Sequence, residues 1–101
     1  MSRFLEDGNV HDIVIARQKV VAEMKVFEGV EPTLEEAQAF VGGYIELVHL
    51  DNGDQILVNE EGLLHGFAVN MSATILCKMF GNGCTLVGNA MLLKGEKARW
   101  T

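Results

Sequence analysis

Glu46, Asn59, Glu60, Glu61 and Asn70 are the residues of this chain whose types and spacing offer chemistry. Carboxylates and amides gathered at one end of a hairpin, beside a helix N-terminus, can hydrogen-bond the ring or the hydroxyls of a small ligand. The bland alternative is equally concrete: Asn59 closes a strand end, Asn70 caps a helix and the glutamates are solvated. A carboxylate pair in one turn can also hold a raised pKa, so Glu60 or Glu61 is the general base of an alternative reading as a small hydrolase. That reading lacks companions. The sequence contains no nucleophile elbow, no Walker-type phosphate loop, no paired His at metal spacing and no CxxC. No catalytic residue, metal ligand or cofactor is assigned, and the chain reads as non-enzymatic.

Other polar features carry less. The acids of Asp51-Asn52-Gly53-Asp54 lack EF-hand spacing, and a hairpin accounts for them. Gly81-Asn82-Gly83 is either a nest of backbone amides for an anion or a turn between helix and strand. Cys77 and Cys84 are the only cysteines and make a poor zinc site; Cys77 reads as a core position on a helix. The pair is expected to be reduced in a cytoplasmic protein, with a redox pair as the alternative. His49 and His65 read as isolated surface or edge histidines. Trp100 either anchors a partner or packs back on the domain.

The elements that must position these groups follow from pattern. Residues 42–64, GGYIELVHLDNGDQILVNEEGLL, read as a β-hairpin about Asn52-Gly53, whose residues suit the positive φ of a type I′ turn. With Asp51 and Asp54 closing a two-residue turn, Tyr44 faces Glu61, Glu46 faces Asn59 and Val48 faces Leu57. Ile45, Leu47, Ile56 and Val58 then share an aliphatic face toward the core. Thr33 and Glu36 form a capping box, and Gly42 sits where a helix ends, so 34–41 is a helix with a stripe of Leu34, Ala37, Phe40 and Val41. Asn70 or Ser72 caps a second helix that Gly81 stops, with Ile75, Leu76, Met79 and Phe80 as its buried stripe. Residues 20–26 alternate as a strand, and 10–17 read as a further strand. A single helix over 12–27 competes with both. Residues 63–69 form a short irregular strand, and 85–93 the closing strand, interrupted at Gly88-Asn89. The sum is an α+β domain: a single small unit over 1–101, with a mostly antiparallel sheet, a central hairpin at about 44–59 and two short helices. Residues 1–9 read as a loose start and 95–101 as a polar tail.

Bulk properties narrow the partners. The chain has 101 residues, 49% of them hydrophobic and 22% charged, which suits one folded domain. No apolar run approaches a membrane span, and the opening MSRFLEDGNVHD lacks the apolar core of a signal peptide, so a cytoplasmic protein is expected. Of the net charge of −6, the stretch from Val26 to Cys77 contributes nine acids and no Lys or Arg. That disfavours direct nucleic-acid binding. It suits a solvated surface, a basic protein partner, or an acidic mimic of nucleic acid that blocks a host DNA-binding enzyme.

The runs VGGYIELVHL, VNEEGLL, VNMSAT and VGNAMLL are similar to those of the family described as domain of unknown function 3846. The resemblance spans roughly Val20 to Lys94. Its most specific points are Asn59-Glu60-Glu61-Gly62, the Asn70, Ala73, Thr74 motif and Gly88. It implies a phage or mobile-element product expressed in a bacterial host, possessing no settled activity. It also adds Thr74 to a candidate ligand-binding set of Tyr44, Glu46, Asn59, Glu60, Glu61 and Asn70. The expected function is a host-interaction or counter-defence module that captures a nucleotide-like ligand or a host protein, with a site between protomers of a homodimer or larger assembly.

Overall fold

The computed structural model describes residues 22–100. The strand expected at 10–17, the loose start at 1–9 and most of the competing helix at 12–27 lie outside them. Among the described residues four strands form one sheet: β1 (Met24–Glu28), β2 (Ile45–His49), β3 (Gln55–Asn59) and β4 (Ala90–Lys94), in the order β1-β4-β3-β2. β2 pairs with β3 and β3 with β4 antiparallel, whereas β1 runs parallel to β4. Helix α1 (Leu34–Val41) lies on one face of the sheet and α2 (Met71–Phe80) on the other. The α+β class with a mostly antiparallel sheet therefore stands, in a three-layer arrangement. No helix among the described residues is long and apolar enough to cross a membrane.

The hairpin is present, but its register differs by one residue from the expected one. Leu50 donates to the Asp54 carbonyl at 2.9 Å, and Gly53 donates to the Leu50 carbonyl at 3.0 Å. Asp51, Asn52 and Gly53 thus form a three-residue loop with Gly53 at φ 93°, not a two-residue type I′ turn. Such a slip changes which side chains share a face. Ile45 now faces Asn59 and Leu47 faces Leu57, while Glu46 faces Val58 and Val48 faces Ile56. The expected face of Ile45, Leu47, Ile56 and Val58 does not exist: each pair serves a different layer. Glu46 and Asn59, expected as partners, point to opposite faces.

This register feeds two cores. Ile56, Val58, Ala90 and Leu92 meet Ala73 and Cys77 of α2, with Leu50 and Leu86 closing the edges. Leu57, Met91 and Leu93 meet Ala37 of α1, with Phe27, Ile45, Leu47 and Trp100 packed around them. β3 is covered on both faces, so all five of its residues are buried, including Gln55 and Asn59.

Both helix starts form as their sequences require. Thr33 Oγ1 accepts from the Glu36 N–H at 3.0 Å, and Glu36 Oε1 accepts from the Thr33 N–H at 2.9 Å. Asn70 Oδ1 accepts from the Ala73 N–H at 3.0 Å. The buried stripes are shifted from expectation. α2 buries Ala73, Thr74 and Cys77 and leaves Ile75 and Met79 exposed; α1 buries Ala37 and Val41 and exposes Leu34. Small residues face the sheet because they allow the helix to approach it closely. Residues 63–66 are turns and 67–68 are irregular, so no strand forms there, with Val69 alone bridging Val87, and the closing strand starts only after Gly88-Asn89. Trp100 packs back on the domain. Its backbone N–H and carbonyl bond the two ends of the buried Gln55 amide at 2.7 Å each, and its indole N–H donates to the Pro32 carbonyl at 3.1 Å.

Candidate functional site

Asn59 ends β3 and organises the residues beyond it. Its Nδ2 donates to the Val41 carbonyl at the end of α1 (3.1 Å), and its Oδ1 accepts from the Glu61 N–H (2.7 Å). The chain close to it must be bare: a Cβ on Gly43 would lie 3.1 Å from that amide nitrogen. From Glu60 the chain winds through successive turns, held by Gly62 on the Asn59 carbonyl, His65 on Glu61 and Phe67 on Gly62. The His65 ring stacks on Phe67 with centroids 5.2 Å apart, and its Nε2 is 3.8 Å from Glu61 Oε1. Both of these side chains are about half exposed.

Two clefts flank this turn. One, of about 340 Å³, is lined by Gln38, Gly42, Gly43, Tyr44, Asn59, Glu61 and His65. The other, of about 320 Å³, lies between Glu46, Glu60, Leu63 and Leu64 and the segment Thr85–Val87. Asn59 and Glu61 border both. Among the described residues no Lys or Arg lines either cleft, and three carboxylates do. Such walls accept hydrogen bonds from N–H and O–H groups and repel phosphate.

Of the sequence-expected set, Tyr44, Asn59 and Glu61 share the first cleft, and Glu46, Asn59, Glu60 and Glu61 share the second. Asn70 and Thr74 line neither. Both are buried and bonded within the fold: Asn70 Nδ2 donates to the Glu23 and Gly88 carbonyls at 3.0 and 2.9 Å. Thr74 Oγ1 donates to the Leu86 carbonyl at 3.1 Å and accepts from its N–H at 2.9 Å. Sequence reasoning missed His65 and Gln38. The first had a signal in its i, i+4 spacing from Glu61; the second had none, since only the packing of α1 brings it to the hairpin end. Among the described residues, no three His, Cys, Asp or Glu are grouped to hold a metal ion.

Comparison with known proteins adds a family and nothing further. The model of the family described as Domain of unknown function (DUF3846) matches residues 11–101, reaching both further upstream and further downstream than the motifs alone. No curated protein and no solved structure matches the chain.

Proposed function

We infer the function from the two clefts, because the chain belongs to the domain of unknown function 3846 family and that description assigns no activity. The reading is a non-enzymatic binding module that captures a small ligand at the turn following β3. The observation that carries it is the convergence of an exposed phenol (Tyr44), an imidazole (His65), a carboxylate (Glu61) and an amide (Gln38) around one cleft. Flat rings can stack against a base or sugar, while the amide and carboxylate read its N–H and O–H groups. With no Lys or Arg among the described residues of the walls, a nucleotide-like ligand would be held there by its base or ribose. Glu61 and His65 are both about half exposed, within reach of a ligand from solvent. The phage or mobile-element origin implied by the motifs makes capture of a host molecule in the bacterial cytoplasm the fitting role.

Native mass spectrometry of protein purified gently from bacterial cells tests this. The expected result is a stoichiometric small adduct on the wild type, absent from the Tyr44→Ala, Glu61→Gln double variant. An adduct that survives both substitutions would move the site elsewhere, and a clean apo wild type would turn the search to a host protein. One observation favours a second reading: a carboxylate and an imidazole, Glu61 and His65, stand 3.8 Å apart on the wall of one cleft, the pair of group types a small hydrolase would use. Turnover of nucleotide substrates that disappears in Glu61→Gln would establish that reading instead.

A further inference from the structure

Cys77 and Cys84 are seven positions apart in the chain, yet their sulfurs stand 3.2 Å from each other. Cys77 is fully buried in the last turn of α2, and Cys84, on the return segment, is partly exposed. The loop between them is shaped to bring them together. A Cβ on Gly81 would lie 3.1 Å from Cys77 Sγ and 3.0 Å from the Cys77 carbonyl, so a side chain there would crowd the thiol. Gly81 and Gly83 then both donate to that carbonyl, at 2.9 and 3.1 Å. Asn82 Oδ1 accepts from Cys77 Sγ at 3.3 Å and from the Cys84 N–H at 3.1 Å, which holds both cysteines by one amide. The sulfurs need to close by only about 1.1 Å to reach a disulfide bond length of about 2.05 Å.

We propose that Cys77 and Cys84 form a reversible dithiol switch, oxidised to an intramolecular disulfide by a small disulfide of the glutathione class. The partly exposed Cys84 attacks first. Its thiolate forms a bond to one sulfur of the small disulfide, whose other half leaves as a thiolate and takes up the proton Cys84 gave. Cys77 then attacks Cys84 Sγ, expelling the second half, which takes up the proton from Cys77. The two cysteines lose two electrons and two protons, and the small disulfide gains both as two thiols. The result ties the end of α2 to the segment leading to Leu86, which already clamps Thr74 and Asn70 at the helix start. Burial, and then the neighbouring Cys77 thiol, push the Cys84 thiol above its ordinary value, so the first attack is slow at neutral pH and quickens as pH rises.

The test equilibrates the full chain in mixtures of reduced and oxidised glutathione, quenches with acid, alkylates the free thiols under denaturing conditions and reads the mass. The expected wild type loses both alkyl adducts and the mass of two hydrogens as the oxidised fraction rises, and a dithiol reductant restores them. Cys77→Ala should stop at one glutathione on Cys84. Cys84→Ala should take up none while folded by circular dichroism, because Cys77 is buried. The proposal is overturned if the wild type keeps both thiols at every ratio, or if it halts at a glutathione adduct as Cys77→Ala does.

Discussion

Asn70 shows how a polar residue with a ligand-like identity can be spent entirely inside the fold. Its side chain makes one accepting and two donating bonds, each to backbone of a different segment: Ala73 at the start of α2, Glu23 before β1 and Gly88 before β4. Replacing it by alanine removes a helix cap and takes the Asn70 donor from the buried Gly88 carbonyl, while the Glu23 carbonyl keeps the Ala90 N–H, a loss of about 2 kcal/mol. Asn70→Ser should recover about 1 kcal/mol of that by restoring the cap acceptor alone. Urea denaturation of the two variants measures both. A stable Asn70→Ala protein that no longer carries the native-mass adduct would instead make Asn70 a ligand contact. Thr74, with both its bonds on Leu86, belongs to the same class. At this scale the sequence displays which residues are polar, and their local caps can be read from spacing. Burial decides which of them are free to meet a ligand, and burial depends on segments far away in the chain.

Among the elements, those governed by local rules were legible and those governed by loop length or long-range pairing were not. The Thr33–Glu36 box, the Asn70 cap and the helix stops at Gly42 and Gly81 are contacts between near neighbours, and all form as their spacing requires. The hairpin is likewise visible, but Asp51-Asn52-Gly53-Asp54 fits a two- or a three-residue loop, and only the rest of the sheet selects between them. The sheet places β4 between β1 and β3, so β3 needs apolar residues on both faces and loses the alternation that would have disclosed its register. The same remote pairing shapes the cleft. Gly88, at φ 80°, lets the chain pass under Phe67; an added Cβ would lie 2.7 Å from the Phe67 ring. Because that ring stacks on His65, Gly88→Ala should displace the cleft wall although Gly88 lines neither of the two clefts. The expected outcome is about 2 kcal/mol of lost stability together with loss of the small adduct. Lower stability with full adduct occupancy would uncouple the Gly88 turn from the site.

For the molecule as a whole, the outer face of α2 is the feature that two cores leave unexplained. Met71, Ile75 and Met79 recur every four residues, and they are 63%, 50% and 64% exposed. Lys78 is the only charged residue of the helix, on a chain whose net charge is −6. Two copies approaching through this face avoid the repulsion that their acidic surfaces would impose. The stripe is also self-complementary: with two helices antiparallel about Ile75, Met71 of each meets Met79 of the other. A stable interface needs about 800 Å² from each copy, more than three side chains supply, so the association should be weak and dependent on concentration. Sedimentation velocity across a concentration series should show a monomer–dimer equilibrium for the wild type. Ile75→Asp, which puts a charge at the symmetry centre on a half-exposed position, should give a monomer with nearly unchanged melting temperature. Wild type and Ile75→Asp sedimenting alike at every concentration would free this face from any role in self-association.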